Sequence, residues 1–309
     1  MYLEYKFNNQ SDLPIYISHD LYDFESDNVP EWTRVLRRNH RDDRTVNINT
    51  AFSRHKHANI EILYLLRGRV TAIVGDAEYT LTGGDMLVIN PFTEHTASVD
   101  PSAVSELICV IPNYECFSGS GSAASELISK LFRHELIIRP YIAADTQHSE
   151  RLGSLMKSIA SAKEAGGNRA SGIFHINSCL LELFSLLTDD AMLQNGSASE
   201  RHKVDIGFYI GVNSYIAEHY CEELTTAKTA AVFGYSESYF CVLFKEHFGV
   251  PFISHLQSYR VECAKQLYRE LKLPLAEISR RVGFNDYCYF SRVFSKLTGL
   301  SPREFFETQ

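Results

Sequence analysis

An internal repeat constrains this 309-residue chain more than any other feature. Gly234-Tyr235 leads to Phe240, Phe244, Gly249 and Pro251, and Gly283-Phe284 leads to Phe290, Phe294, Gly299 and Pro302. The F-x3-F-x4-G portion recurs at an offset of 50 residues without a gap. Phenylalanines four residues apart share one face of a helix, so each copy has one stripe to bury. Each copy is preceded by a short helical stretch, TTAKTAAVF or LAEISRRV, that stops at a glycine. A left-handed turn favours a residue without a Cβ there. Each copy therefore predicts a helix, a tight turn and a second helix, with Ser236 or Asp286 as the N-cap of the second.

With Phe240, Leu243 and Phe244 facing inward in one copy, and Phe290, Val293 and Phe294 in the other, the opposite stripes are left for solvent or a ligand. They carry Glu237, Ser238, Cys241, Val242 and Lys245 in the first helix, and Tyr287, Cys288, Ser291, Arg292 and Lys296 in the second. A helix-turn-helix with an exposed second helix has the geometry that fills a major groove, and two of them roughly 34 Å apart read successive grooves on one DNA face. One copy alone fits a plain helical bundle equally well. Two copies joined by the amphipathic stretch ISHLQSYRVECAKQLYRE favour DNA. Charge divides unevenly between them. Residues 205–259 hold two lysines against six acids, a net charge of −4, whereas residues 260–303 hold nine Lys or Arg against four acids, a net +5. Phosphate contacts supply most non-specific affinity, so the second copy is expected to anchor and the first to discriminate by fit, with Arg292 as the base-reading candidate.

From Leu224 to Phe306 the chain resembles the DNA-binding domain of AraC/XylS-type transcription regulators. Ala230, Gly234, Phe244, Gly249, Arg260, Ala264, Ile278, Gly283, Phe284, Phe290, Phe294, Gly299 and Pro302 fall on that family's usual structural positions. Ser279 stands where alanine is usual, and its hydroxyl can bond a carbonyl one turn back without breaking the helix. Phe306 stands where a basic residue is common, which removes a phosphate contact.

The N-terminal part has a different texture. RVTAIVG, AEYTLTGGD, MLVINP and SELICVIP are short runs rich in Val, Ile, Thr and Tyr between turn residues, which predicts a small antiparallel barrel or sandwich over residues 1–118. Within it, H-x-H-x3-E-x6-G from His55 to Gly68 is followed by G-D-x5-P-x3-H from Gly84 to His95. His55, His57, Glu61 and Leu63 have one parity, so on a strand they share a face, and His95 completes a set of three histidines and a carboxylate. Such a set suits Fe, Mn, Ni or Zn with coordination positions left open. The same side chains can instead hydrogen-bond an effector directly. The two segments resemble the motifs of cupin barrels, with Asn49, Asn90 and Phe92 standing where that pattern usually has Gly, Pro and Gly.

From Ser125 the pattern becomes helical. Ile173, Ile176, Leu180, Leu183 and Leu187 recur at three- and four-residue steps, and residues 150–165 supply a second amphipathic candidate ending at Gly166-Gly167. The two are expected to pair as a hairpin, serving either core packing or dimerisation. Residues 190–204, small and polar, are expected to be a linker. The fold class expected is thus α+β and multidomain: a cupin-like β-barrel at 1–118, a helical dimerisation or relay segment at 119–189, the linker, and an all-α DNA-binding domain with two helix-turn-helix motifs at 205–309.

Composition excludes some alternatives. At 45% hydrophobic and 22% charged residues the chain can bury two cores, and a net charge of −8 tells against a coat for anionic surfaces. Uninterrupted apolar runs such as Ile62 to Leu66 are far too short to span a bilayer, so no membrane helix is expected, and Glu4, Lys6 and Asp12 spoil a secretory signal. Seven cysteines without a C-x-x-C pair read as reduced thiols, and a cytoplasmic protein is expected. The expected function is sequence-specific regulation of transcription by a non-enzyme. Its expected partners are a double-stranded DNA operator, a second copy of the chain and a small effector that the resemblance implies to be a sugar or sugar derivative, with RNA polymerase as a further candidate contact. The alternative is a metal-dependent cupin enzyme tethered to a DNA-binding domain.

Overall fold

The computed structural model describes residues 15–24, 28–29, 49–57, 59–112, 114–117, 122–165, 169–196 and 206–307. Among the described residues, 15–196 form one compact unit and 206–307 a second.

In the first unit the strands are β1 (Ile15–Tyr22), β2 (Thr50–His55), β3 (Glu61–Arg67), β4 (Arg69–Val74), β5 (Ala77–Thr82), β6 (Met86–Ile89), β7 (His95–Val99), β8 (Ser105–Pro112), β9 (Leu136–Ile138), β10 (Tyr141–Ile142) and β11 (Leu193–Asn195). They form a five-stranded sheet in the order β1-β8-β3-β6-β10, a four-stranded sheet in the order β2-β7-β4-β5, and the pair β11-β9. The two large sheets close over one apolar core, to which Leu63, Leu65, Leu87 and Leu107 come from the first and Phe52, Val70, Ala72 and Leu81 from the second. The run RVTAIV forms β4, where Val70, Ala72 and Val74 are buried and Arg69 is exposed.

The helices of this unit are α1 (Ser122–Phe132), α2 (Ser149–Glu164) and α3 (Ala170–Leu187). β3 is buried from Glu61 to Leu65 because both of its faces are covered. α2 packs against β1 and β8, and its Lys157 ammonium stands over the Tyr64 ring at 5.7 Å. α2 and α3 pair as expected, tied by a two-pronged Arg151–Glu182 ion pair of 2.6 and 2.7 Å. The Gly166-Gly167 stop lies outside the described residues, as does most of the first 48.

Three expectations need correction. Residues 119–189 are not helical throughout: β10 adds to the barrel sheet at β6, with Tyr141 opposite Leu87, so the barrel recruits residues beyond 118. The expected linker 190–204 opens with β11, whose Leu193 pairs with Ile138, because a three-residue strand is too short for periodicity to betray it. Finally, α3 is long and apolar enough to cross a membrane by length and composition, with a mean hydropathy of 1.4 over 18 residues. A search for uninterrupted runs misses it because Asn177, Ser178 and Glu182 break the sequence. Its Ile176, Leu180, Leu183 and Leu187 are buried in the unit, and Phe174 and Leu181 are exposed.

The second unit is helical: α4 (Ile206–His219), α5 (Thr226–Val232), α6 (Glu237–Phe248), α7 (Phe252–Leu271), α8 (Leu275–Arg281), α9 (Tyr287–Thr298) and α10 (Pro302–Glu307). The repeat is realised twice. The Ser236 hydroxyl accepts from the Tyr239 N–H at 3.3 Å, and the Asp286 carboxylate accepts from the Tyr289 N–H at 2.7 Å. At the far ends Gly249 and Gly299 are left-handed, with φ of 73° and 79°. Phe240, Phe244, Phe290 and Phe294 are fully buried. Ser279 bonds back to the Ala276 carbonyl at 3.0 Å, and α8 is intact. Phe306 is a core residue rather than a gap in a DNA-facing surface, stacked on Tyr268 at 4.1 Å.

Candidate functional site

In the barrel the four motif side chains converge: one ligand atom each from His55, His57, Glu61 and His95 lie within 4.8 Å of one another. They do not do so from a single strand, as parity suggested. His55 ends β2, His57 lies in the connection, Glu61 opens β3 and His95 opens β7 opposite His55. A turn, not a shared pleat, brings His55 and Glu61 together. That turn is closed by the second motif, for the Phe92 N–H donates to the His57 carbonyl at 2.7 Å. Phe92, standing where the cupin pattern has glycine, keeps the left-handed backbone at φ 58°.

Hydrogen bonds orient the rings. His57 Nδ1 lies 3.0 Å from the Asn59 carbonyl and His95 Nδ1 lies 2.8 Å from the Thr93 carbonyl. A carbonyl only accepts, so both Nδ1 atoms carry their proton and both Nε2 atoms turn inward. There they face Glu61 Oε2, at 2.9 Å from His57 and 3.3 Å from His95. Burial pushes the Glu61 carboxyl up, but the hydrogen bonds and electrostatic pull of the two imidazoles outweigh it and hold it well below the usual carboxylate range. An ionised carboxylate also only accepts. The inward Nε2 atoms must therefore be protonated or share a cation with it. With their outer nitrogens held by carbonyls and their inner nitrogens turned to a carboxylate, these side chains could hold a metal ion, and the donor set fits a divalent transition ion.

Two neighbours carry no motif signal. Cys109, in the middle of β8, directs its thiol at Glu61 Oε1 at 3.4 Å. Phe52 stands edge-on to His55 and His95, with ring centroids 5.8 and 5.5 Å away. The carbonyls of Asn59 and Thr93 are backbone groups, which no side-chain pattern reveals.

In the helical unit the expected stripes lie outward: Glu237, Ser238, Cys241, Val242 and Lys245 are exposed on α6, and Tyr287, Cys288, Arg292 and Lys296 on α9. Ser291 is half-buried, because it sits at the margin between the stripe and Phe290. Ser236 is exposed and occupied as a cap. Tyr239 and Tyr289 were not expected on this face and are 54% and 42% exposed, so each stripe presents an aromatic ring in its first turn. The counted charges are partly engaged. Arg281 pairs with Glu277 at 2.6 Å and Lys228 with Glu223 at 3.4 Å, whereas Arg280 bonds to a carbonyl of its own helix, that of Ala276.

Residues 229–308 match the family model of a helix-turn-helix domain, and residues 44–111 match that of a cupin domain. The arabinose operon regulatory protein of Escherichia coli is 30% identical over 184 residues, 57% of this chain and 60% of that protein. Its counterpart in Salmonella typhimurium is 38% identical over 92 residues, 29% of this chain and 33% of that protein. The chain thus spans between a third and three fifths of these two relatives. The probable transcriptional regulator LumQ of Photobacterium leiognathi is 23% identical over 252 residues, 81% of this chain and 90% of that protein. Among solved structures, ToxT from Vibrio cholerae has a similar fold, with a TM-score of 0.55 at 11% identity over 95% of this chain and 98% of that one.

Proposed function

Since this chain joins a cupin domain to an AraC-type helix-turn-helix domain, and so belongs with the AraC/XylS-type transcription regulators, we propose that it regulates transcription by binding an operator through α6 and α9 in response to a small molecule held in the barrel. The observation that carries this reading is the doubled helix-turn-helix, each with a buried phenylalanine seam beneath an exposed stripe. Ser238, Cys241, Val242 and Lys245 on α6 and Cys288, Ser291, Arg292 and Lys296 on α9 are the candidates for DNA contact, with Glu237 and Tyr287 at the two first turns and Ser236 as a cap. The chain would act in the cytoplasm as a homodimer, with RNA polymerase as a further contact.

The effector site is assigned to the barrel cluster. His55, His57, Glu61 and His95 would hold a divalent transition metal ion, and such an ion supplies a Lewis-acidic centre able to bind paired hydroxyls. Their own work is to keep a fixed set of lone pairs inside a buried wall, with the Asn59 and Thr93 carbonyls preventing the rings from turning. A sugar or sugar derivative suits such a site, a reading supported by the arabinose regulators among the relatives. Regulation requires that the effector prefer one state of the protein, since equal affinity for two states shifts no equilibrium.

The test is a reporter assay with purified-protein binding alongside it. His57→Ala with Glu61→Ala is expected to abolish the dose response and leave basal operator binding within a factor of about two, and chelation is expected to mimic it. An unchanged dose response removes the effector from this cluster. Loss with the double variant but indifference to chelator replaces the metal with direct hydrogen bonding. The donor set also favours a second reading, a metal-dependent cupin enzyme, and consumption of the sugar by the metal-loaded protein would establish it.

A further inference from the structure

Tyr289 occupies the first turn of α9 and is held on three sides. Its N–H is fixed by the Asp286 cap at 2.7 Å. Its hydroxyl accepts a hydrogen bond from the Gln257 amide on α7, the helix that joins the two motifs. Its ring stands edge-on to Phe284, centroid to centroid 6.1 Å, in the turn before the helix. One turn further on, the guanidinium carbon of Arg292 lies 5.8 Å from the Tyr289 ring centroid. An arginine on an exposed stripe has many rotamers, and a bidentate contact to a base edge uses only one narrow orientation of its plane. An aromatic face held from three other points removes part of that freedom before DNA arrives, which raises discrimination without adding a contact.

The first motif supplies an internal comparison. At the repeat offset of 50 residues, Tyr239 corresponds to Tyr289, but Arg292 corresponds to Val242. The Tyr239 ring leans on Tyr235, at 5.3 Å, and has no guanidinium at the position three residues on. The two tyrosines therefore share a place in the fold while differing in what they orient.

We propose that Tyr289 is a positioning residue for base recognition: anchored to the connecting helix through Gln257, it presets the Arg292 guanidinium for one base pair. This rests on the reading of α9 as a recognition helix. The full-length protein is assayed against an operator library at fixed salt, against random-sequence DNA, and over a salt series, as wild type and as Tyr289→Phe, Tyr289→Leu, Tyr239→Leu, Arg292→Ala and Tyr289→Leu/Arg292→Ala. Tyr289→Leu is expected to reduce preference at the base pair read by Arg292 by about fivefold or more, with random-sequence affinity, salt slope and melting temperature unchanged. Tyr289→Phe, which keeps the ring but loses the Gln257 anchor, is expected to fall between the wild type and Tyr289→Leu, and Tyr239→Leu is expected to leave that base pair alone. In the Arg292→Ala background Tyr289→Leu is expected to add nothing. A further loss in that background would mean that the tyrosine touches DNA itself, and a uniform weakening with a shallower salt slope would make it a phosphate contact. Either result overturns the proposal. If Arg292→Ala relaxes no base pair, the reading of Arg292 fails first and the proposal falls with it, distinguishable from the case in which Arg292 matters and Tyr289 does not.

Discussion

The two helix-turn-helix motifs have one scaffold and two surfaces. Beneath, they are nearly interchangeable: capped helix starts, fully buried Phe-x3-Phe seams and left-handed glycines at the ends. Above, α6 and its surroundings are acidic and apolar, whereas α8 and α9 present Arg280, Arg281, Arg292 and Lys296. Packing and backbone geometry dictate the first set of residues, because a cavity or an uncapped end costs stability wherever it occurs. Solvent dictates almost nothing about the second set. A duplicated fold can therefore divide labour, and the division we propose is that the basic second motif carries most of the phosphate contacts.

Even the scaffold is not fully symmetric, and the turns show where. Gly234 and Gly283 are both left-handed, with φ of 72° and 87°. A Cβ at Gly234 would meet nothing within 4 Å, but one at Gly283 would lie 2.6 Å from the Tyr220 carbonyl oxygen and 2.8 Å from Arg260. Arg260 itself is fastened to the Tyr220 and Glu222 carbonyls at 2.8 and 2.7 Å, so neither neighbour can retreat easily. Gly283→Ala is therefore expected to cost more than about 3 kcal/mol and Gly234→Ala roughly 1–2 kcal/mol, the backbone penalty alone. Urea unfolding of both variants checks this. Equal losses would mean that the second turn has slack the structure does not suggest.

The next largest effect concerns reading. Arg292→Ala is expected to lose about 1–3 kcal/mol of discrimination at a single base pair. Val242→Ala, at the corresponding place on α6, is expected to change preference by less, since it removes only an apolar contact. Binding to an operator library separates the two, and uniform weakening by Arg292→Ala would reduce it to a phosphate contact.

Much of this was legible in the sequence, for a physical reason. The Phe seams, cap residues and turn glycines are local demands written at fixed spacing, so both motifs can be placed from the residues alone. The histidine cluster was legible as a set but not as a construction. Parity put His55 and Glu61 on one strand, whereas a turn and two strands bring them together. Cys109, the Asn59 and Thr93 carbonyls, and the short strands β9, β10 and β11 depend on what the chain does far away in sequence, and no local pattern encodes that.

Acidity distinguishes the two units more gently. In the helical unit His255 is buried against Phe244 and Phe248, and burial pushes it down to about 3. The folded form stays neutral where the unfolded chain protonates near 6.5, so stability falls as pH drops below that value, by about 1 kcal/mol between pH 6.5 and 5.5. His19 in the barrel unit goes the other way. Burial pushes it down, but hydrogen bonds to Glu164 and Glu106, at 2.9 and 2.8 Å, raise it overall. Its contribution is full below the ordinary value near 6.5 and is lost as pH rises through the raised one. Melting curves are expected to show the helical unit weakening in acid and the barrel unit weakening toward alkaline pH. His255→Leu should remove the first slope and His19→Gln the second; slopes that survive these substitutions would reject the assignment.

The division of labour is tested most directly by the slope of log affinity against log salt on random-sequence DNA. Removing the neutralisation of one phosphate flattens that slope by about 0.9. Arg280→Ala/Arg281→Ala is expected to flatten it by roughly that amount or more, with Arg280 responsible for the larger part because Arg281 is paired with Glu277. Lys228→Ala/Lys245→Ala is expected to flatten it by less. Equal slopes for the two double variants, or a larger loss from the lysine pair, would contradict an anchoring second motif and return the acidic first motif to the phosphate backbone.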